Sequence, residues 1–211
     1  MNQLKKFDGL IQKDRVIAKQ EEEDFLSLFG ANSAQVSRFD KTAIVLVLDE
    51  SSSMSSQRDR AVAAVAAIEK EFPQATFIKV VFSSRVDRKQ DFQSYYPCGM
   101  TAMFDGILGG IAIAQAELSH NNIIHITITD GEENASKASL PETAQAIAEK
   151  KALGWQFYAI WLTEQGLLNG HQRDFERLGV PLTQASDITQ AVQKISDGIY
   201  GYLATGTLLL E

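Results

Sequence analysis

From residue 42 onward the chain alternates between two patterns of hydrophobic and polar positions. Short runs of consecutive apolar residues, rich in β-branched types, are separated by longer stretches whose apolar positions recur at three- and four-residue spacing. The first run, residues 42–49 (TAIVLVLD), has no polar residue between its ends. A strand with that pattern is covered on both faces, as parallel strands are. Similar runs predict strands over residues 75–84, 122–129, 155–162 and 180–184. A short charged strand within residues 86–96 suits an exposed sheet margin, where charge discourages pairing with another chain. Helical spacing covers residues 57–71, 102–118, 141–153, 171–178 and 187–200. Pro141 opens the third of these, and Ser186 or Asp187 caps the last. Gly106, Gly109 and Gly110 lie inside the second helix. Each costs about 1 kcal/mol in a helix interior, so close packing against a sheet is the expected reason for them.

Strands separated by helices of this length require right-handed crossovers. The expected fold class is therefore α/β: a doubly wound, mostly parallel, Rossmann-like sheet flanked by helices, over residues 41–200. Residues 1–40 have a different texture. Leu4, Phe7, Leu10 and Ile11 keep helical spacing, an acidic run from Glu21 to Asp24 interrupts it, and Gly30 stops a second apolar cluster. This segment is expected to form an N-terminal helical arm, and residues 201–211 a tail.

Composition narrows the class. With 211 residues, 45% hydrophobic and 22% charged, the chain has material for one core, which excludes a disordered or fibrous protein. Its net charge of −7 and lack of a basic stripe argue against nucleic-acid binding. No apolar stretch reaches the length of a membrane span. Lys5 and Lys6 are not followed by the apolar segment of a secretory leader, and the single cysteine, Cys98, forms no intrachain disulfide. Both features lead to an expected cytoplasmic location.

Candidate chemistry lies in the loops, because open parallel sheets bind ligands beyond the carboxyl ends of their strands. The first strand ends in Asp49, followed by Glu50, Ser51, Ser52 and Ser53. The strand over 122–129 is followed by Asp130, Gly131, Glu132, Glu133 and Asn134, and Thr101 stands just before the glycine-bearing helix. Together the carboxylates of Asp49 and Asp130 and the hydroxyls of Ser51, Ser53 and Thr101 offer hard oxygen donors, which suit magnesium, manganese or calcium. Alternate residues of an extended Asp-x-Ser-x-Ser segment point the same way, so three donors can converge from one loop. Taken alone, the serine run reads more simply as a polar turn capping the next helix. The three loops together favour a cation.

Asp49-x-Ser51-x-Ser53, Thr101 and Asp130 resemble all five positions of the metal-ion-dependent adhesion site of von Willebrand factor A domains, in order and after the matching strands. The resemblance covers roughly residues 41–200. It implies that Ser51, Ser53 and Thr101 hold Mg2+ (alternatively Mn2+ or Ca2+), with Asp49 and Asp130 binding directly or through water. A glutamate or aspartate from a partner protein would complete the octahedron. Glycine often stands between the two serines in that family; Ser52 occupies the position here and requires negative φ. The short form without cysteine pairs resembles stand-alone prokaryotic members, which implies an ATPase or another component of a multi-protein system as partner.

That resemblance implies a binding module rather than an enzyme. The alternative is a metal-dependent phosphate-processing enzyme of a Rossmann-like hydrolase type, since haloacid-dehalogenase-like phosphatases place a nucleophile at the end of the first strand. Those enzymes need Asp-x-Asp, and the third position here is Ser51. A serine-nucleophile elbow, a dinucleotide fingerprint and a phosphate loop are also missing. Around the site, Glu50, Asp105, Glu132 and Glu133 are expected in structural or solvated roles, Asp105 near a helix start that favours an acid. Cys98 is expected to be a buried, inert thiol. Tyr95, Tyr96 and Met100 either form an apolar wall beside the metal or pack in the core. His125, inside a strand, is expected in the core, and His120 and His171 at the surface.

Overall fold

A computed structural model describes residues 42–119, 122–131, 133–162, 172–185 and 188–205. The expected N-terminal arm, His120, Glu132, His171 and the last six residues lie outside them. The elements, in order, are β1 (Thr42–Asp49), α1 (Arg58–Glu71), β2 (Thr76–Phe82), β3 (Val86–Lys89), α2 (Met103–Glu117), β4 (Asn122–Thr129), α3 (Leu140–Ala152), β5 (Gln156–Leu162), α4 (Gln172–Leu178), β6 (Leu182–Ala185) and α5 (Ile188–Thr205). Among the described residues, six strands form one sheet in the order β3-β2-β1-β4-β5-β6. Only β3 runs antiparallel to its neighbour; the other pairings are parallel. This is the expected doubly wound α/β fold.

All eight residues of β1 are buried, because β2 and β4 flank it and helices cover both faces. The register keeps the strand ends level: Asp49 lies opposite Phe82 of β2, and Leu48 opposite Ile128 of β4. The loops that follow these strands therefore leave from one edge of the sheet.

One face is covered by α2, α3 and α4, where Val45, Val47, Ile78 and Phe157 meet Ile107, Ile111, Ile147 and Phe175. The glycines of α2 let that helix lie almost on the strands. A Cβ built on Gly106 would come 2.5 Å from Phe82 Cγ, and one on Gly110 would come 2.6 Å from Val47 Cγ2. Close approach explains them, as expected, and it brings the start of α2 beside the ends of β1 and β2. On the other face α1 and α5 pack together. Helix α5 runs to Thr205, past the expected end at Tyr200, because Ile195, Ile199 and Leu203 keep the four-residue apolar spacing and are all buried. Helix α3 begins at Leu140, where Ser139 and Glu142 cap each other reciprocally.

Candidate metal centre

The strand order reverses at β1, which continues to β2 on one side and borders β4 on the other. Loops leaving β1 and β4 diverge there and open a crevice at the carboxyl edge of the sheet. Asp49 is the last residue of β1, Asp130 directly follows β4, and Thr101 stands two residues before α2. After Asp49, Ser51 is extended, and Ser52–Ser55 form a single 3-10 turn. Among the described residues no non-glycine residue has positive φ, so Ser52 meets its requirement without strain.

Backbone bonds tie the Thr101 loop to the β1 loop. Cys98 N–H donates to Glu50 O at 2.7 Å, and Ser52 N–H donates to Gly99 O at 3.1 Å. Gly99, at φ +84°, turns the chain into Thr101. The buried Tyr95 hydroxyl donates to Asp49 O at 2.5 Å, fixing the end of β1.

Both Asp49 carboxylate oxygens are held. Oδ1 accepts Ser51 N–H at 2.8 Å, and Oδ2 accepts the Thr129 hydroxyl at 2.5 Å. Thr129 Oγ1 in turn accepts Gly131 N–H at 3.1 Å. Ser51 Oγ lies 3.0 Å from Ser53 Oγ, which donates to Asp130 Oδ1 at 2.7 Å. The third loop closes on the same spot. A Cβ built on Gly131 would stand 3.2 Å from Ser53 Oγ, 3.4 Å from Thr101 Oγ1 and 3.6 Å from Asp49 Oδ2. Oxygens from three separate loops thus surround one small space that glycine leaves open, and the sequence-predicted Asp49, Ser51, Ser53, Thr101 and Asp130 are brought into one cluster.

Burial pushes the Asp49 carboxyl up to about 6; the bonds from Thr129 and Ser51 oppose the shift and the nearby Asp130 adds to it. Burial likewise raises Asp130, against the bond from Ser53. Two acids crowded in a partly dry cleft favour a compensating positive charge. Among the described residues no three His, Cys, Asp or Glu side chains gather as a metal site, so this cluster depends on two carboxylates supplemented by hydroxyls. Such an all-oxygen set fits a hard divalent cation that keeps part of its water.

No protein-family model matches the sequence, and no curated protein matches it. Solved structures do. A von Willebrand factor type A protein from Catenulispora acidiphila superposes with a TM-score of 0.56 at 16% identity, covering 78% of this chain and 43% of that one. The vWF domain of the type V pili tip protein Mfa5 from Porphyromonas gingivalis gives 0.59 at 10% identity, covering 80% and 98%. The ArnB paralog VWA2 from Sulfolobus acidocaldarius gives 0.50 at 13% identity, covering 75% and 45%. The fold is that of a von Willebrand factor A domain. This chain spans less than half the length of the Catenulispora and Sulfolobus proteins.

Within the A-domain fold, three acids close to the cluster in sequence, Glu50, Glu133 and Asp105, are turned to structural use. Glu50 is buried, accepts Tyr96 N–H at 2.9 Å and lies 3.8 Å from Lys89 Nζ. Glu133 accepts the N–H groups of Phe104, Ala135 and Ser136 at 3.0, 3.0 and 2.7 Å. Asp105 accepts those of Lys137 and Ala138 at 3.0 and 2.9 Å.

Three supporting residues were not predicted: Thr129, Tyr95 and Asn134. Asn134 Oδ1 accepts Thr101 N–H at 3.0 Å, and Asn134 N–H donates back to Thr101 O at 3.0 Å, so the two loops grip each other. Thr129 carried a signal, since a hydroxyl at the buried end of an isoleucine-rich strand needs a partner. Cys98 is exposed, which corrects the expected buried thiol: its loop runs over the surface and is held there by backbone bonds. Of the two readings open for Tyr95, Tyr96 and Met100, core packing holds for Tyr95, while Tyr96 and Met100 are exposed. His125 is in the core as expected, 5.1 Å between ring centroids from Phe157.

Proposed function

We propose that this domain is a metal-dependent protein-binding module. Ser51, Ser53 and Thr101, with Asp49 and Asp130 acting directly or through water, would hold magnesium, alternatively manganese or calcium. The observation that carries the reading is the convergence of oxygens from three loops on the space beside Gly131. A bound divalent ion supplies a Lewis-acidic position able to accept a glutamate or aspartate carboxylate from the partner.

The chain's own residues prepare that position. Ser51 N–H and the Thr129 hydroxyl fix both oxygens of Asp49, so the carboxylate is oriented before metal arrives. Two carboxylates balance one divalent charge, and the bonds made by Glu50, Glu133 and Asp105 keep these three acids engaged with the chain's own backbone. The A-domain neighbours support a protein-interaction module. The resemblance to stand-alone prokaryotic members favours an ATPase or other component of a multi-protein system as partner, and a lone exposed thiol suits the reducing cytoplasm. Among the described residues no helix is long and apolar enough to cross a membrane. The phosphate-processing alternative gains no support, because the position where such an enzyme needs its second aspartate is Ser51, which lies against Ser53.

Affinity capture from native lysate tests the proposal. Wild type in magnesium retains a partner that is absent both in chelator and with Asp49→Ala. The same proteins in all three captures would refute it.

A further inference from the structure

We propose that Glu133 is a positioning residue of the metal centre: it joins the loop that carries Asp130 to the start of α2, and so fixes the spacing between Thr101 and Asp130 that favours magnesium over the larger calcium. The inference rests on the reading of the cluster given above and names the residue that tunes its choice of cation.

The first N–H groups of a helix have no partner within it, and a Ser, Thr, Asp or Asn just before the first turn usually supplies one. In α2 that position is Ala102, which makes no side-chain cap bond. The partners come instead from the loop after β4. Phe104 N–H donates to Glu133 Oε2 at 3.0 Å, and Asp105 N–H donates to Ser136 Oγ at 3.1 Å. The Ser136 hydroxyl donates in turn to Glu133 Oε2 at 2.6 Å. Glu133 Oε1 accepts the N–H groups of Ala135 and Ser136 at 3.0 and 2.7 Å, which curls its own loop around the carboxylate. Asp105 completes the joint from the helix side by accepting Lys137 and Ala138 N–H. One carboxylate therefore serves both the helix start and the loop.

This joint lies between two of the proposed donors. Thr101 stands two residues before α2, and Asp130 three residues before Glu133. The backbone of Thr101 is bound to the same loop: its N–H donates to Asn134 Oδ1, and its carbonyl accepts Asn134 N–H at 3.0 Å and Ala135 N–H at 3.2 Å. Thr101 cannot draw away from the Asp130 loop while these bonds hold. Magnesium demands oxygens at about 2.0–2.1 Å in a near-ideal octahedron, whereas calcium accepts about 2.3–2.6 Å and irregular shells. Loosening the joint harms magnesium first.

The test titrates magnesium and calcium, separately, into the chelator-stripped full chain as wild type, Glu133→Ala, Glu133→Gln and Glu142→Ala, with circular dichroism confirming that each is folded at the titration temperature. Glu142 is the control: it caps α3 through Ser139 and has no bond to the Thr101 loop. Glu133→Ala is expected to lose about tenfold in magnesium affinity, on the scale of a disturbed supporting shell, and distinctly less in calcium affinity. Glu133→Gln, which keeps one acceptor oxygen, should fall between it and wild type. Glu142→Ala should melt lower with both affinities unchanged. Unchanged magnesium affinity in Glu133→Ala, an equal loss for both cations, or the same loss in Glu142→Ala overturns the positioning role while leaving the metal centre standing. Glu133 variants that do not fold overturn it too, because the carboxylate would then be a requirement of the fold itself. Failure of wild type to bind either cation defeats the underlying reading, and the role of Glu133 with it.

Discussion

Asp49 shows how one side chain can be costly to the fold and held in a fixed orientation at once. It is fully buried, its carboxyl is pushed up to about 6, and the Thr129 hydroxyl and Ser51 N–H hold it in a single orientation. Gly131 matters for the opposite reason, because it contributes space. Replacing it with alanine would put a methyl group 3.2 Å from Ser53 Oγ and 3.4 Å from Thr101 Oγ1 without removing any donor. Gly131→Ala is therefore expected to weaken magnesium binding at least about tenfold, on the scale of a disturbed supporting shell, with the fold retained. Calorimetric titration and far-ultraviolet circular dichroism would check the two halves of that statement. An unchanged affinity would mean the space beside Gly131 is not where the ion sits.

At the scale of elements, α2 links the sheet to the site. Its glycines let it approach Phe82, Val47 and His125, and its first turn follows Thr101, so the depth of packing sets where Thr101 stands. Gly110→Ala would press a methyl against Val47 and His125, and overpacking of this kind destabilises by about 1–3 kcal/mol. Urea unfolding should show that loss, and a variant as stable as wild type would contradict the packing described for α2. Much of this was legible beforehand. The unbroken run at 42–49, the Asp-x-Ser-x-Ser segment and the α2 glycines each declare a strand, a donor set and a close approach within a few consecutive residues. The supports were not legible, because they are long-range: Tyr95 reaches Asp49 across 46 positions, Thr129 across 80, and Asn134 reaches Thr101 across 33. Local pattern also ended α5 too early, at the approach to Gly201, because the buried series through Ile199 to Leu203 outweighs one glycine.

For the chain as a whole, the net charge of −7 is largely a property of acids with no part in the site, and two of the 27 acidic residues form the cluster at the sheet's switch point. The buried His125 gives the molecule a separate pH signature. Burial pushes its imidazole down to about 4 from the ordinary 6.5, and Nε2 has no hydrogen-bond partner among the described residues. The unfolded chain therefore takes up a proton in this window that the folded domain refuses. Stability linked to His125 is complete above pH 6.5 and declines as pH falls towards 4, by about 3 kcal/mol in all. Unfolding free energies of wild type and His125→Leu, compared from pH 7 to pH 4, should diverge by that amount in favour of the variant; parallel curves would show that the imidazole is not excluded from water. The cluster itself is tested most directly by calorimetric titration of magnesium into chelator-stripped wild type, Asp49→Asn and Asp130→Asn. Binding of one ion by wild type and none by either variant at millimolar metal, with all three folded, is the predicted result. No binding by wild type, or equal binding by all three, would contradict the metal centre.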